Sequence, residues 1–311
     1  MARIFTIFGA TGSQGSSVLD AVLADGTFTP RAVSRSLDSD ASKALIARGV
    51  EVVVADLFNK DSLKQAVRGS EVVFGVTNFW DPAIFPADPK GAGEITQGKN
   101  LVDAAKEEGV KYFLWSSLPN ISKESKGLYK HVYHCDNKAL IEDHLRASGV
   151  PHSIIFTGWF LENFYKLGSL TEPSPESPGY IIPIPKFDAS DKQGATWVRN
   201  DLGQAALALA KNYNTPKGAE VGVLGGAFPV VTAKFTYGAV AEELSKALKK
   251  DVKFVSVETT GMAELDEMFL FQAKIGMYHD TPVPNPKLVE LGAKFGTMQD
   301  FIEKEIVPRF A

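Results

Sequence analysis

Short apolar runs alternate with amphipathic stretches through the first half of the chain. Such alternation indicates repeated strand-helix-strand units. The runs contain few polar positions, so we expect both faces of each strand to be covered, as in a parallel sheet. The predicted strands are 3–8, 31–35, 50–55, 71–76, 111–116 and 152–157, and the predicted helices are 16–24, 61–67, 98–109 and 137–149. The pattern predicts an α/β fold with a Rossmann-like, doubly wound parallel sheet.

The pattern changes after residue 157. Prolines cluster in TEPSPESPGYIIPIP (171–185), which indicates an irregular surface excursion. Helical spacing returns at 201–213, 233–249, 262–277 and 298–306, and strand-like pieces occur at 220–224 and 252–257. We therefore predict a nucleotide-binding domain over 1–157. A smaller mixed lobe over 158–311 would follow, from which the chain returns to the sheet.

Glycines recur every three residues directly after the first predicted strand, in FGATGSQG (8–15). Small residues let the backbone turn tightly and approach a pyrophosphate, whose charge is favoured by the free N–H groups at a helix start. A glycine-rich turn alone is weak evidence. Its place between a strand and a helix makes nucleotide binding a better interpretation than a structural turn.

Arg35 stands twenty residues beyond Gly15, at the end of the second predicted strand. An acidic residue there would bind the ribose hydroxyls of NAD, whereas a guanidinium can hold a 2′-phosphate with two directed hydrogen bonds. The residue favours NADP(H) as cofactor. The alternative is a solvated surface arginine.

Composition and charge limit the binding partners and cellular locations that we expect. The 311 residues are 44% hydrophobic and 23% charged, and the formal net charge is −4. A negative chain has no general attraction to nucleic acid or anionic lipid, so we expect no direct contact with nucleic acid or membrane. One cysteine fits a reducing compartment, and the early first strand leaves no room for a cleaved signal. We expect a soluble cytoplasmic protein, with the nucleus as an alternative location.

Six segments resemble, in the same order, those of the NmrA-like family, an atypical branch of the short-chain dehydrogenase/reductase superfamily. They read FGATGSQGSSV, DGTFTPRAVSR, FGVTNFW, ITQGKNLVDAA, HCDNKALIEDHL and GWFLENF, and they fall within residues 1–165, with a looser resemblance to the end. The resemblance implies an NADP(H) site. The pyrophosphate would lie at Gly9, Ala10, Thr11, Gly12, Ser13, Gln14 and Gly15, the adenosine phosphate at Arg35 and Ser36, the adenine at Asp56 and Leu57, the middle of the cofactor at Thr77, Asn78 and Phe79, and the nicotinamide end at Lys138, Phe160, Leu161, Glu162 and Asn163.

Several of these positions have structural alternatives. Asp56 is also suited to capping the helix predicted near Lys60, and Asn78 to a turn. Phe79, with its aromatic neighbours Trp80 and Phe85, is equally suited to the core of a loop.

The stretch HVYHCDNKAL (131–140) places His134 four residues before Lys138, where ordinary members of that superfamily carry a tyrosine. Residues four apart share a helix face, which lets the lysine bind the ribose and the tyrosine donate a proton. Tyr133 is turned off that face by about 140°. His134 would either donate a proton itself, although mostly neutral near pH 7, or pack beside the cofactor.

Other side chains in this region are considered as a catalytic serine, a nucleophile or metal ligands. Ser116 and Ser117, after the fifth predicted strand, are candidates for the serine of such sites. Cys135 is better explained as a small packed residue than as a nucleophile. Among His131, His134 and Asp136, only the two histidines share a helix face, so we expect no metal site, since zinc generally takes at least three protein ligands.

Two functions remain open. One is an NADP(H)-binding, redox-responsive regulator, in which cofactor occupancy changes a surface for a protein partner. The other is an NADPH-dependent oxidoreductase of a small carbonyl or quinone substrate, with His134 and Lys138 at the site. The missing tyrosine favours the regulator, and the retained lysine permits the enzyme. The sequence identifies neither the substrate, the protein partner nor the oligomeric state.

Overall fold

A computed structural model describes residues 2–172, 179–278 and 280–311. Its strands are β1 Ile4–Ile7, β2 Thr29–Ser34, β3 Glu51–Val54, β4 Ser70–Gly75, β5 Tyr112–Ser117, β6 His152–Thr157, β7 Trp159–Phe160, β8 Tyr180–Pro185, β9 Lys192–Thr196, β10 Ala227–Val230, β11 Ala233–Thr236 and β12 Val252–Val257. Its helices are α1 Ser13–Asp25, α2 Asp40–Ala47, α3 Lys60–Val67, α4 Ala92–Glu107, α5 Ile121–Glu124, α6 Tyr133–Ser148, α7 Asn163–Lys166, α8 Gly203–Asn212, α9 Pro216–Val221, α10 Tyr237–Leu248, α11 Ala263–Lys274, α12 Pro286–Glu290, α13 Met298–Phe301 and α14 Val307–Phe310. π-Helical turns cover Val198–Leu202 and Ile302–Ile306.

The central sheet confirms the predicted doubly wound fold. Its strand order is β10-β6-β5-β4-β1-β2-β3, and every pairing is parallel. Successive residues of a strand face opposite sides, so Val72 packs on the α1 and α8 side and Val73 on the α4 and α6 side. Burial on both faces explains the continuous apolar runs of the sequence.

The strand order reverses between β1 and β4, where the chain begins to build the sheet in the other direction. In open parallel sheets the crevice at such a reversal, beyond the carboxyl ends of the strands, is where ligands bind. The segments after β1, β2, β3 and β4 therefore share one edge of the molecule.

The C-terminal half contributes to the central sheet and also forms the smaller mixed lobe. β10 pairs with β6 as the seventh strand, and α8 packs closely on α1 through Gly203, where an added Cβ would meet the Ser17 carbonyl oxygen at 2.1 Å. The lobe carries two small sheets, β11-β9-β7 and β12-β8, around a separate apolar core. The division at residue 157 stays a prediction.

Two predictions in the second half are wrong. The predicted excursion over 171–185 contains β8, although 173–178 lie outside the described residues. β8 pairs with β12 along its whole length, whereas its other side has an isolated bridge between Ile181 and Thr171 among the described residues. Pro183 and Pro185 lie beyond that bridge, and a strand edge tolerates proline because it needs no amide donors. The predicted strand at 220–224 is instead the end of α9, which Thr215 caps by accepting from the Gly218 N–H at 3.0 Å.

Two further boundaries differ from the prediction. Helix α2 (Asp40–Ala47) was not predicted, and the helix predicted from 233 begins at Tyr237 because Ala233–Thr236 pairs with β9 as a strand. In the part of the chain that the structure describes, no helix has the length and apolar character to cross a membrane.

Candidate functional site

The glycine loop between β1 and α1 is built by close backbone contacts. Gly9 has φ +63°, and the Gly12 N–H donates to its carbonyl oxygen at 2.8 Å. A Cβ on Gly15 would lie 2.2 Å from that same oxygen, so a side chain there would push the helix off the loop. Helix α1 begins without a side-chain cap or an acidic residue in its first turn. Its first N–H groups are therefore free to bind an anion.

Lys166 contacts the glycine loop, although no sequence pattern indicated this contact. Its ammonium donates to the Ser13 hydroxyl at 3.0 Å, from α7 in the second lobe. The contact places a positive charge beside the start of α1. A separation of more than 150 residues hides the contact from sequence patterns.

Arg35 lies at the end of β2 with its side chain 74% exposed. Its guanidinium donates to the Asp81 carboxylate at 3.0 Å, which ties the end of β2 to the segment after β4. Ser36, beside it, is exposed and accepts the Asp38 N–H through its hydroxyl. Neither Arg35 nor Ser36 is needed for the core.

Asp56 and Asn78 both serve turns, which was the structural alternative for Asn78, whereas the alternative for Asp56 was a helix cap. The Asp56 carboxylate accepts from the Phe58 N–H at 2.8 Å, and the Asn78 side chain accepts from the Trp80 N–H at 3.2 Å. Asn59, and not Asp56, caps α3. The Leu57 carbonyl accepts from Asn100. These residues still lie at the carboxyl edge, where turn geometry and ligand contact are compatible.

Lys138 is paired with a buried carboxylate. Its ammonium contacts Glu94, whose side chain is fully buried in α4 while that of Lys138 is 9% exposed. Thr77 donates its hydroxyl proton to the same Glu94 oxygen at 2.7 Å and lies 3.4 Å from the ammonium. The other Glu94 carboxylate oxygen has no partner among the described residues. No sequence pattern indicated a role for Glu94, since a glutamate in a first helical turn is ordinary.

His134 is held by Glu264 of α11. The Glu264 carboxylate accepts from the His134 backbone N–H at 2.7 Å and contacts the ring Nδ1 at 2.6 Å. Burial disfavours the charged ring, but the Cys135 sulfur and the Glu264 carboxylate favour it, and together they raise the pKa of His134 to about 10. The expectation that His134 is mostly neutral near pH 7 did not account for these two neighbours, Cys135 beside it and the Glu264 carboxylate 130 residues away.

Ser116 connects the end of β5 to the glycine loop. Its hydroxyl donates to the Gln14 side-chain oxygen at 2.5 Å. Ser117 is buried beside it and donates weakly to the Leu118 carbonyl at 3.4 Å.

The segment after β4 carries an aromatic cluster. Phe79 is buried, and its ring centroid lies 5.0 Å from Trp80 and 5.5 Å from Phe85. Trp80 is partly exposed, and its ring lies 5.7 Å from His134. Phe79 packs in the loop core and, like Trp80, also lines the cavity described below, with its ring 6.1 Å from that of His134.

Besides Lys138, the residues proposed for the nicotinamide end form two pairs. Phe160 and Asn163 line the cavity described below. The Leu161 side chain belongs to the core of the second lobe, and Glu162 accepts from the backbone N–H groups of Val198 and Arg199 at the start of a π-helical turn. Burial raises the pKa of the Glu162 carboxyl. The side chains of Leu161 and Glu162 are therefore structural.

A cavity of about 590 Å³ lies beneath these residues, between the sheet edge and the second lobe. One end is lined by Gln14, Thr77, Asn78 and Ser116, and His134 and Lys138 lie on its wall. The other end is largely apolar and is lined by Leu118, Pro183, Ile184, Val257, Leu265, Met268, Phe269 and Met277, together with Thr259, Thr260 and Gln272. The size is that of a small-molecule site.

Cys135 is buried in a small apolar cluster with Ile121, Val132 and Phe271, as expected for a packed residue. Within residues 2–172, 179–278 and 280–311, the structure brings together no group of three His, Cys, Asp or Glu suited to a metal ion.

Comparison with known proteins identifies the family. A model of the NmrA-like family matches residues 1–302. The chain belongs to this family, which confirms the resemblance drawn from the six segments.

Two relatives carry the name NmrA-like family domain-containing oxidoreductase. The one from Aspergillus campestris is 27% identical over 266 residues, covering 81% of this chain and 75% of that protein. The one from Aspergillus flavus is 35% identical over 217 residues, covering 67% of this chain and 64% of that protein.

Solved structures share the fold. NmrA, a negative transcriptional regulator solved in complex with NADP, has a TM-score of 0.78 at 21% identity and covers 99% of this chain and 96% of that one. The triphenylmethane reductase of Citrobacter sp., complexed with NADP(H), has a TM-score of 0.72 at 17% identity and covers 98% and 99%. At such identities the likeness establishes the architecture alone.

Proposed function

We propose that the protein is an NADP(H)-dependent oxidoreductase whose substrate is a small, largely apolar molecule. The observation that carries the proposal is the cavity of about 590 Å³, which begins at the glycine-loop residue Gln14, passes His134 and ends in an apolar wall. A small molecule placed there would lie at the carboxyl edge of the sheet, where this fold class binds its ligands.

The residues at that edge fit a nicotinamide dinucleotide. The uncapped start of α1, the glycine loop and Lys166 suit a pyrophosphate. Arg35 suits a 2′-phosphate, and its present partner Asp81 forms an exposed ion pair, of a kind worth about 1 kcal/mol or less. A phosphate would displace that pair at little cost, which favours NADP(H) over NAD(H). When bound, the reduced cofactor supplies the hydride.

His134 is the proposed proton donor. Glu264 holds its Nδ1, which leaves Nε2 as the nitrogen available to a ligand in the cavity. With a pKa raised to about 10, the ring is an imidazolium at neutral pH and carries a proton on both nitrogens. It would stabilise negative charge on a substrate oxygen and then protonate that oxygen, the role that tyrosine has in ordinary members of the superfamily.

A redox-responsive regulator is the second candidate, and the Lys138 environment favours it. Glu94 neutralises the ammonium and Thr77 lies within 3.4 Å of it, so the charge available to position a ribose for catalysis is reduced. In a regulator the cofactor would bind without turnover, and the exposed segment around Trp80 would present a different surface to a protein partner.

Consumption of NADPH by the purified protein, at high concentration and against a panel of quinones and aromatic aldehydes, separates the two functions. We expect sustained turnover with at least one substrate, and loss of most of it in His134→Gln. His131→Gln is the matched control, because His131 makes a similar contact with Glu267 at 2.5 Å but lies outside the cavity lining. Binding of NADPH with no turnover across the panel would favour the regulator.

A further inference from the structure

Gln272 has a buried side-chain amide that faces the largely apolar part of the cavity, and the described residues leave its hydrogen bonds incomplete. The residue is 5% exposed and lines the cavity. Its side-chain oxygen has no hydrogen-bond partner among the described residues, and its nitrogen has only the Met277 sulfur at 3.5 Å. Thioether sulfur is a weak acceptor, so the amide has both a donor and an acceptor to offer whichever way it is turned.

The amide lies on a helix face that is otherwise apolar. Leu265, Met268, Phe269 and Gln272 are spaced three and four residues apart on α11, and all four line the cavity. A buried polar group without a partner is costly, and such groups in native proteins call for an explanation. A ligand that completes its hydrogen bonds supplies one.

Helix α11 carries both this amide and Glu264, the carboxylate that holds the proposed proton donor. Glu264 is eight residues before Gln272, which corresponds to about 12 Å along a helix axis. Gln272 therefore lies about two turns away from the residue that holds His134.

The ionisable side chains among the described lining residues are His134, Cys135 and Lys138, which all come from α6. The Gln272 end offers no charge to pair with an ionised ligand. A carboxylate or ammonium would lose its hydration there without compensation. The group bound at this end is uncharged.

We propose that Gln272 is a specificity-determining residue that recognises an uncharged donor–acceptor pair, of the lactam or carboxamide type, on a flat apolar substrate. A cis-amide presents an N–H beside a carbonyl oxygen and would form two parallel hydrogen bonds with the glutamine amide. The inference rests on the proposed function for the identity of the cavity as a substrate site, but it can fail separately.

Three bicyclic probes test it by titration calorimetry on the full-length protein with and without NADPH. They are carbostyril, which carries a lactam, N-methylcarbostyril, which lacks the donor, and naphthalene, which lacks both groups. We expect carbostyril to bind about tenfold to a hundredfold more tightly than either of the others, as sites built for a polar group reject analogues lacking it. Gln272→Leu should abolish that preference and leave naphthalene binding as tight or tighter.

Equal affinities of the wild-type protein for carbostyril and its N-methyl derivative would overturn the proposal, without need of any variant. Retention of the preference in a folded Gln272→Leu protein would also overturn it. Turnover of NADPH with quinones is measured separately. If turnover is found but the lactam preference is absent, only this inference fails, and if the preference is found without turnover, only the oxidoreductase proposal fails.

Discussion

Replacing Lys138 by methionine is expected to destabilise the fold mainly through Glu94. The two side chains are 9% and 0% exposed, so the pair is shielded from water. Methionine keeps most of the aliphatic stem and removes the ammonium. The Glu94 carboxylate would retain the 2.7 Å hydrogen bond from Thr77, while its second oxygen already lacks a partner in the described chain.

The loss follows from the burial of the surviving charge. Removing one member of a buried ion pair costs about 3–5 kcal/mol. Average unfolding entropies imply about 1.5 °C of melting temperature per kcal/mol for 311 residues, so the melting temperature should fall by about 5–8 °C. Glu94→Gln with Lys138→Met removes both charges and keeps both shapes, so the double variant should lie within about 1 kcal/mol of wild type.

The four proteins to compare are the wild type, Lys138→Met, Glu94→Gln and the double variant. Urea denaturation followed by circular dichroism gives the coupling energy between the two positions. NADPH titration of the same proteins gives the contribution of Lys138 to cofactor binding. We expect Lys138→Met to be much less stable than the double variant, and the double variant to bind NADPH about tenfold more weakly than wild type. Stability losses that simply add would refute the reasoning about the pair. Unchanged NADPH affinity in the double variant would make Lys138 purely structural.

Four further outcomes are expected. Arg35→Asp should remove the preference for NADPH over NADH, and Asp81→Asn should strengthen NADPH binding two- to fivefold or so by removing a competing carboxylate, both by calorimetry. Because the His134 pKa is raised, its contact with Glu264 should stabilise the fold fully below pH 6.5 and lose that effect as pH rises through about 10, so the stability advantage over His134→Gln should shrink across that range. Amide exchange in segment 78–94 should slow when NADPH is added, since a cofactor binding beside Asn78 would favour one state of the segment.

Contrary results are defined for the predictions on Arg35, His134 and segment 78–94. Equal affinity of the wild-type protein for NADPH and NADH would dismiss the role given to Arg35. A stability difference between wild type and His134→Gln that does not vary with pH would mean that the ring does not carry its charge in the fold. Unchanged exchange in segment 78–94 at saturating NADPH would count against ordering by the cofactor.

The sheet could be predicted from the sequence because burial on both faces leaves a local trace. β1 and β4–β6 are runs of apolar residues bounded by turn residues, and the glycine loop marks the strand-to-helix connection that opens the fold. β8 left no such trace, since Pro183 and Pro185 are tolerated because their stretch of the strand pairs with β12 on one side. That pairing depends on β12, far along the chain.

Some residues of the candidate site could likewise be predicted from the sequence, and others could not. Residues of the glycine loop and Arg35 could be placed from their spacing, because that spacing reflects one local strand-turn-helix unit. Glu94, Glu264 and Gln272 could not, because their significance comes from burial and from partners on other elements. The pKa of His134 shows the consequence, since the sequence alone suggested a neutral ring, whereas the adjacent Cys135 and the distant Glu264 carboxylate both raise that pKa.

Transfer of deuterium from NADPH labelled at the reactive carbon of the nicotinamide tests the oxidoreductase proposal most directly. The labelled cofactor is incubated with the protein and the most rapidly consumed substrate of the quinone and aldehyde panel, and the product is examined by mass spectrometry. For an aldehyde we expect one deuterium at the reduced carbon, and for a quinone oxidation of the labelled NADPH in step with formation of the hydroquinone. In either case the rate should fall strongly in His134→Gln and stay unchanged in His131→Gln. Tight binding of NADPH with no oxidation and no labelled product would contradict the account and leave the protein as a cofactor-binding regulator.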